Sequence, residues 1–167
     1  MSNNTYVQAC LEIQVTDEEA TWLDRAHAAL QRYYADLRGG GEQANEEDIA
    51  YVEFVFGREP TDEDLSADFV GFDLYVDGRS GDKANLIIGG EECVNVGLMA
   101  QYLSAFLRKF RPEIRIGFTY AVCDDELNPG GFSGGGVVVG SGKFALLDAE
   151  GWVHEATLSE DLFKEEG

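Results

Sequence analysis

The sequence predicts an α+β fold, with a mostly antiparallel sheet of about five to six strands and two main helices packed on one face. Two stretches have the three-to-four-residue apolar spacing of helices, and several others alternate apolar and polar residues as strands do. Short turns rich in glycine join strands as hairpins, and strand and helix do not alternate regularly. The 167 residues are interpreted as a single domain, without internal repeat or linker.

The chain begins with a predicted strand and a predicted helix. Residues 5–15, TYVQACLEIQV, alternate polar and apolar side chains, which indicates a half-buried strand. Residues 16–41 follow with one apolar stripe at helical spacing. Thr16 and Glu19 have the spacing of a capping box, and the glycines at 39–41 are typical of a helix end.

The middle of the chain predicts a short helix, a hairpin and a second long helix. Asn45 is a good cap for the short helix, although a strand is an alternative for the same apolar run. Residues 70–78 and 84–90 are predicted strands, because a turn rich in Gly and Asp separates them. Residues 95–110 carry an apolar stripe and end before Pro112, which predicts the second main helix.

The last third predicts one strand and then a hairpin. Residues 113–123 alternate apolar and polar side chains and indicate a strand. The valines at 137–139 and the run KFALLDA at 143–149 indicate two strands joined across the Gly-Ser-Gly at 140–142. Residues 157–167 form an acidic tail, interpreted as a short helix or a frayed end.

Charge is the most unusual property of the sequence. Twelve Lys and Arg stand against 32 Asp and Glu, so the formal net charge is 12 − 32 = −20. Such a surface repels nucleic acid and anionic membranes and attracts basic proteins, although solubility or a salt-rich habitat would also explain it. No signal peptide or membrane-spanning run is found, which predicts a cytoplasmic protein. Cys10, Cys93 and Cys123 are interpreted as buried free thiols.

A glycine-rich stretch at 128–144, NPGGFSGGGVVVGSGKF, raises the question of catalysis. It contains a G-x-S-x-G match at Ser133, and Asp148 and His154 follow in the chain order of α/β-hydrolases. The valines after the glycines predict a strand, whereas a phosphate loop and a nucleophile elbow both need a helix there. The match is interpreted as accidental, and the glycines as positions where another element, such as an aromatic ring, approaches the backbone closely.

Neither a metal nor a cofactor is predicted. His27 and His154 are the two histidines of the chain, and neither belongs to a zinc-binding pattern. The acidic run at 124–126, Asp-Asp-Glu, lacks the spacing of a calcium loop and is interpreted as a solvated loop. A small hydrolase or metal-dependent enzyme that uses Ser133 with His154, or this acidic run, is kept as an alternative.

The densest charge lies between the first helix and the first hairpin. Residues 42–68 contain ten acids and a single base, Arg58. Tyr34 before this segment and Tyr51 within it are candidate anchors, because Tyr supplies much of the binding energy of protein interfaces. The candidate partner-binding residues are Tyr34, Glu42, Glu46, Glu47, Asp48, Tyr51, Glu53, Glu59, Asp62, Glu63 and Asp64.

Several short stretches in the second half carry a family resemblance. They are LSAFLRKF, GFTYAVC, PGGFSGGGVVV and a later Trp, within residues 71–152. In these stretches the chain resembles small, functionally uncharacterised acidic proteins carried on plasmids, integrative elements and phages. The resemblance implies a mobile-element origin and no catalytic residue. Mobile elements also encode acidic anti-restriction and anti-CRISPR proteins, which occupy nucleic-acid-binding surfaces of host defence complexes; the comparison with these is by analogy.

Charge and resemblance together predict a non-enzymatic, DNA-mimic-like inhibitor. Its expected partner is a basic, nucleic-acid-binding protein of a defence complex, with no direct contact to nucleic acid or membrane, and its expected state is a monomer or homodimer. An immunity protein that neutralises a basic toxin has the same features in its sequence and is an alternative.

Overall fold

The computed structural model describes residues 4–40, 43–67, 69–125 and 132–158. They form six strands and four helices in the order β1-α1-α2-β2-β3-α3-β4-β5-β6-α4. The bounds are β1 Thr5–Thr16, α1 Asp17–Leu37, α2 Glu46–Phe56, β2 Asp73–Ser80, β3 Lys83–Gly90, α3 Val96–Phe110, β4 Ile116–Asp124, β5 Phe132–Gly140, β6 Lys143–Asp148 and α4 Ala149–Leu158.

The strands form one antiparallel sheet in the order β2-β3-β1-β4-β5-β6. Burial alternates along β1: Ala9 and Ile13 are buried, whereas Cys10 and Glu12 are exposed. One face of the sheet is therefore covered and the other is open. Helix α1 contacts β1 and β3, and α3 contacts β5 and β6, on the covered face. The predicted α+β fold is confirmed.

Helix α1 begins where the sequence predicted. The Thr16 side chain accepts a hydrogen bond from the Glu19 backbone N–H, and the Glu19 carboxylate accepts one from Thr16 N–H. The same carboxylate accepts hydrogen bonds from the Arg111 guanidinium at 2.7 and 2.9 Å, so the cap also ties α1 to the end of α3. The helix ends at Leu37, and Gly39 follows in the left-handed conformation, with φ +74°, so a glycine of the predicted 39–41 run ends the helix.

Residues 46–56 are a helix, and the strand alternative for them is wrong. Asn45 and Asp48 form a second capping box, and Gly57 ends the helix in the left-handed conformation, with φ +73°. Helix α2 buries Val52 and Val55 and packs on α1 and α3. It therefore forms an outer layer above the helices that cover the sheet.

Residues 132–140 of the glycine-rich stretch form β5, in agreement with its interpretation as a closely packed strand, whereas residues 128–131 lie outside the described residues. A Cβ on Gly135 would lie 2.9 Å from Tyr120 Oη and would collide with the backbone carbonyl of Leu147. A Cβ on Gly134 would collide with the carbonyl of Tyr120. Side chains are thus missing from β5 where β4 and β6 approach it most closely.

Helix α4 was not expected from the sequence. The Asp148 carboxylate accepts hydrogen bonds from the backbone N–H groups of Glu150 and Gly151, at 3.2 and 3.1 Å, and begins the helix. Trp152 and Val153 are both more than half exposed, so α4 has no deeply buried apolar stripe that its sequence could have revealed.

Candidate functional site

The outer side of α2 carries exposed carboxylates. Val52 and Val55 face the core, whereas Glu46, Glu47 and Glu53 are exposed. Glu46 and Glu53 are seven residues apart, which is about two helical turns, and therefore lie on the same side of the helix. Both capping residues fix the start of α2, so these carboxylates project from a well-defined backbone.

The turn after α2 adds three more exposed carboxylates, on Glu59, Asp62 and Glu63. The base in this segment, Arg58, donates to both oxygens of Asp64, at 2.6 and 3.1 Å. This hydrogen bonding to Arg58 is the main cause that lowers the pKa of Asp64 to about 2. The positive charge of Arg58 is thus largely neutralised, and within the described residues no salt bridge reaches the three exposed acids.

Two of the candidate residues hold the segment in place. Asp48 is 2% exposed and accepts hydrogen bonds from Arg32 at 2.6 and 2.9 Å, which lower its pKa. Tyr34 is 1% exposed and donates to the backbone carbonyl of Asp64 at 3.5 Å, and burial raises its pKa to about 12. The polar groups of Asp48 and Tyr34 therefore form hydrogen bonds within this chain. The groups that a partner could contact are on the neighbouring exposed residues.

The remaining candidates differ in their surroundings. Tyr51 is half-buried, with its ring centroid 6.3 Å from that of Trp22 in the aromatic core cluster. Asp64 is half-buried and paired with Arg58, as described above. Glu42 lies outside the described residues.

Tyr33, which is not one of the candidate partner-binding residues predicted from the sequence, lies among these acids. It is half-buried, and its pKa is raised by burial and then by the negative charges of Glu59, Glu53 and Asp36. Carboxylates from α1 (Asp36), α2 (Glu53) and the following turn (Glu59) therefore all lie near the Tyr33 phenol. We define the acidic surface as Tyr33 together with Asp36, Glu46, Glu47, Glu53, Glu59, Asp62 and Glu63.

The structure also shows where the residues of the alternative enzyme hypothesis lie. Ser133 lies inside β5, opposite Val122, and not at a turn between strand and helix. Asp148 begins α4, and His154 is exposed on that helix. His27 is buried, and its Nε2 lies 2.7 Å from the carbonyl oxygen of Phe72.

The structure describes Asp124 and Asp125 of the acidic run at 124–126. Asp124 accepts a hydrogen bond from the Thr5 hydroxyl at 2.7 Å, whereas Glu126 lies outside the described residues. No group of three or more His, Cys, Asp or Glu in the described part of the chain could hold a metal ion.

The prediction of buried thiols is wrong for Cys10 and Cys93, which are exposed. Cys10 alternates with Ala9 on β1 and therefore lies on the open face of the sheet.

Fold and surface together define a small α+β protein with an open-faced sheet and an acidic side built on α1 and α2. No family model, no curated protein and no solved structure matches this chain. Among the helices in the described ranges, none is both long and apolar enough to cross a membrane.

Proposed function

We propose that this chain is a non-enzymatic inhibitor whose acidic surface occupies the nucleic-acid-binding surface of a basic protein. The target class is a host defence complex, of the kind blocked by anti-CRISPR and anti-restriction proteins, and the proposed origin is a mobile element. One observation carries the proposal. Six carboxylates of residues 43–67 are exposed, and no salt bridge joins them to a cation among the described residues.

The spacing of these carboxylates suits a surface that normally binds DNA. Seven residues of helix separate Glu46 from Glu53, which is about 10 Å of axis at about 1.5 Å per residue. Duplex DNA carries about one charge per 1.7 Å of its axis. The three exposed carboxylates of α2 are fewer than the charges of DNA on this length, and the three in the following turn add charge of the same sign.

Rigid positioning supports the same proposal. Two ion pairs and one capping box hold the acidic segment, through Arg32 with Asp48, Arg58 with Asp64, and Asn45 at the helix start. A backbone that is already held in place loses little conformational freedom when a partner binds the carboxylates it carries. Tyr33 adds a half-buried aromatic ring to the surface, and Tyr is enriched among the residues that dominate interface energies.

Protection of DNA from cleavage tests the proposal directly. The purified chain is titrated into purified RNA-guided nucleases and restriction endonucleases, and cleavage of a labelled duplex is measured. Inhibition of at least one enzyme is expected, and it should weaken as the salt concentration rises, because exposed charges are screened. Failure to inhibit any enzyme of the panel at low salt would contradict the proposal.

Matched variants separate local charge from total charge. The first neutralises the six exposed acids at positions 46, 47, 53, 59, 62 and 63 to Gln or Asn. The second neutralises six exposed acids elsewhere, at positions 12, 77, 82, 91, 92 and 113. Both have a net charge of −20 + 6 = −14. The first should lose at least about tenfold in inhibitory potency and the second much less. Equal losses would assign the effect to net charge alone.

A further inference from the structure

The two edge strands of the sheet are protected very differently. An edge strand has backbone N–H and C=O groups that no neighbour pairs, and charged residues or bulges commonly prevent another strand from adding there. Strand β2 has both devices, with Asp73, Asp77 and Arg79 along it and a bulge between Val76 and Gly78. Strand β6 at the other edge pairs with β5 in regular register and has neither device between its two terminal residues.

The middle of β6 is apolar and exposed on both faces. Leu146 is 49% exposed and Leu147 is 57% exposed, and they point to opposite faces of the sheet. Val138 on β5, opposite Ala145, is 55% exposed and extends the patch on the open face. Helix α4 follows β6 but packs chiefly against β5, so it leaves these side chains uncovered.

Charge indicates which partner fits this edge. The 21 residues from 127 to 147 contain one charged side chain, Lys143, and no acid. A second copy also carries a net charge of −20, so it meets less repulsion along this acid-free stretch of strand than at the acidic surface. Exposed carboxylates begin only where β6 ends, with Asp148 and then Glu150 on α4.

We propose that β6 is a self-association edge, at which two copies pair antiparallel about a twofold axis. With the axis beside Leu146, this residue faces its own copy, and Ala145 faces Leu147 of the second copy. Apolar side chains then meet on both faces, and the six strands of each copy join into one continuous sheet. Because such an interface uses the same edge on both copies, it closes as a dimer, and both outer edges of the joined sheet are then the protected β2 strands.

Mass measured against concentration tests this proposal. Sedimentation or light scattering of the full chain, from about 1 μM to about 500 μM, should show a shift from 18.3 kDa towards twice that mass. Raising the salt concentration should strengthen the dimer, because it screens the repulsion between the two acidic copies. A wild-type chain that keeps the monomer mass at every concentration and salt overturns the proposal.

A pair of matched double variants locates the interface. Leu146→Lys with Leu147→Lys should weaken the dimer at least about tenfold, because charges then oppose each other along β6. Tyr75→Lys with Val76→Lys makes the same charge change on β2, at side chains that are 56% and 61% exposed, and should leave the dimer intact. A dimer that survives the β6 change, or is lost through the β2 change, overturns the proposal.

Hydrogen exchange provides a second measurement that needs no variant. Backbone amides of residues 143–148 should exchange more slowly at high than at low protein concentration, because pairing protects them. Amides of β2, at residues 73–80, are the internal control and should not depend on concentration. Protection that is independent of concentration at β6 would contradict the dimer.

Discussion

The acidic segment and the glycine-rich hairpin are held in the fold by opposite means. In residues 43–67 a few side chains make the decisive contacts, through the pairs Arg32–Asp48 and Arg58–Asp64. In β5 and β6 the decisive feature is the absence of side chains at Gly134 and Gly135, which lets three strands come close. The first region should therefore be sensitive to side-chain removal at two positions, and the second to the addition of a single methyl group.

The largest effect is expected for Gly135→Ala. The added Cβ would collide with the carbonyl of Leu147 and lie 2.9 Å from Tyr120 Oη, and the carbonyl belongs to a paired backbone that cannot move freely. We expect a loss of about 3 kcal/mol in the free energy of unfolding, measured by urea denaturation.

Gly136→Ala is the matched control for this change. The nearest atom to its added Cβ is the Phe118 carbonyl oxygen, at 4.0 Å, which is ordinary contact. Its stability should stay within about 1 kcal/mol of the wild type. Similar losses for Gly135→Ala and Gly136→Ala would mean that close approach is not the reason for glycine in β5.

The next effect is expected for Asp48→Ala in the acidic segment. The change removes the buried carboxylate that accepts from Arg32 and from the Asn45 backbone N–H, whereas the Asn45 side chain still caps the helix through the backbone N–H of residue 48. We expect a loss of about 2 kcal/mol in the free energy of unfolding, measured by urea denaturation, because the charged hydrogen bonds with Arg32 and one half of the capping box are lost together. Glu47→Ala, at the exposed neighbouring position, should change stability by less than about 0.5 kcal/mol. Equal losses of stability in Asp48→Ala and Glu47→Ala would mean that the buried contacts of Asp48 do not hold the segment in place.

Local patterns in the sequence predicted most of the fold. The spacing of Thr16 and Glu19 was sufficient to begin α1 correctly, and the valines at 137–139 were sufficient to predict a strand. The short α2 was ambiguous because its apolar run suits a strand as well, and the capping box of Asn45 with Asp48 decides for the helix. Helix α4 was missed, because its exposed apolar residues show no buried stripe.

The acidic surface was only partly predictable, for a physical reason. Composition shows that residues 42–68 are acidic, but it does not show which acid turns inward to meet Arg32 from the preceding helix. Tyr33 belongs to α1, and it approaches Glu53 and Glu59 only after α2 has packed on α1. Such a surface depends on contacts between elements, which periodicity within one element cannot reveal.

The third effect concerns the pH dependence of stability at Asp64. Its pKa in the folded state is about 2, below the ordinary 3.8, mainly because Arg58 donates to it. Its contribution to stability is therefore complete above about pH 4 and is lost as the pH falls towards about 2. The stability difference between wild type and Asp64→Asn, from urea denaturation at several pH values, should be constant above this window and shrink within it. A difference that stays constant down to pH 2 would contradict the role of the ion pair.

The smallest effect is expected at Tyr33, where it tests whether the acidic surface exists as one cluster. Burial, Glu59, Glu53 and Asp36 each raise the pKa of its phenol, so Glu59→Gln and Glu53→Gln should each lower that pKa. NMR titration of the tyrosine ring carbons measures the change, with Tyr33→Phe to assign the signal. Glu12→Gln, on the open face of the sheet, is the control and should leave the Tyr33 pKa unchanged. If neither Glu59→Gln nor Glu53→Gln lowers the pKa, these carboxylates do not converge on Tyr33, and the charge of the segment is dispersed instead of presented on one side.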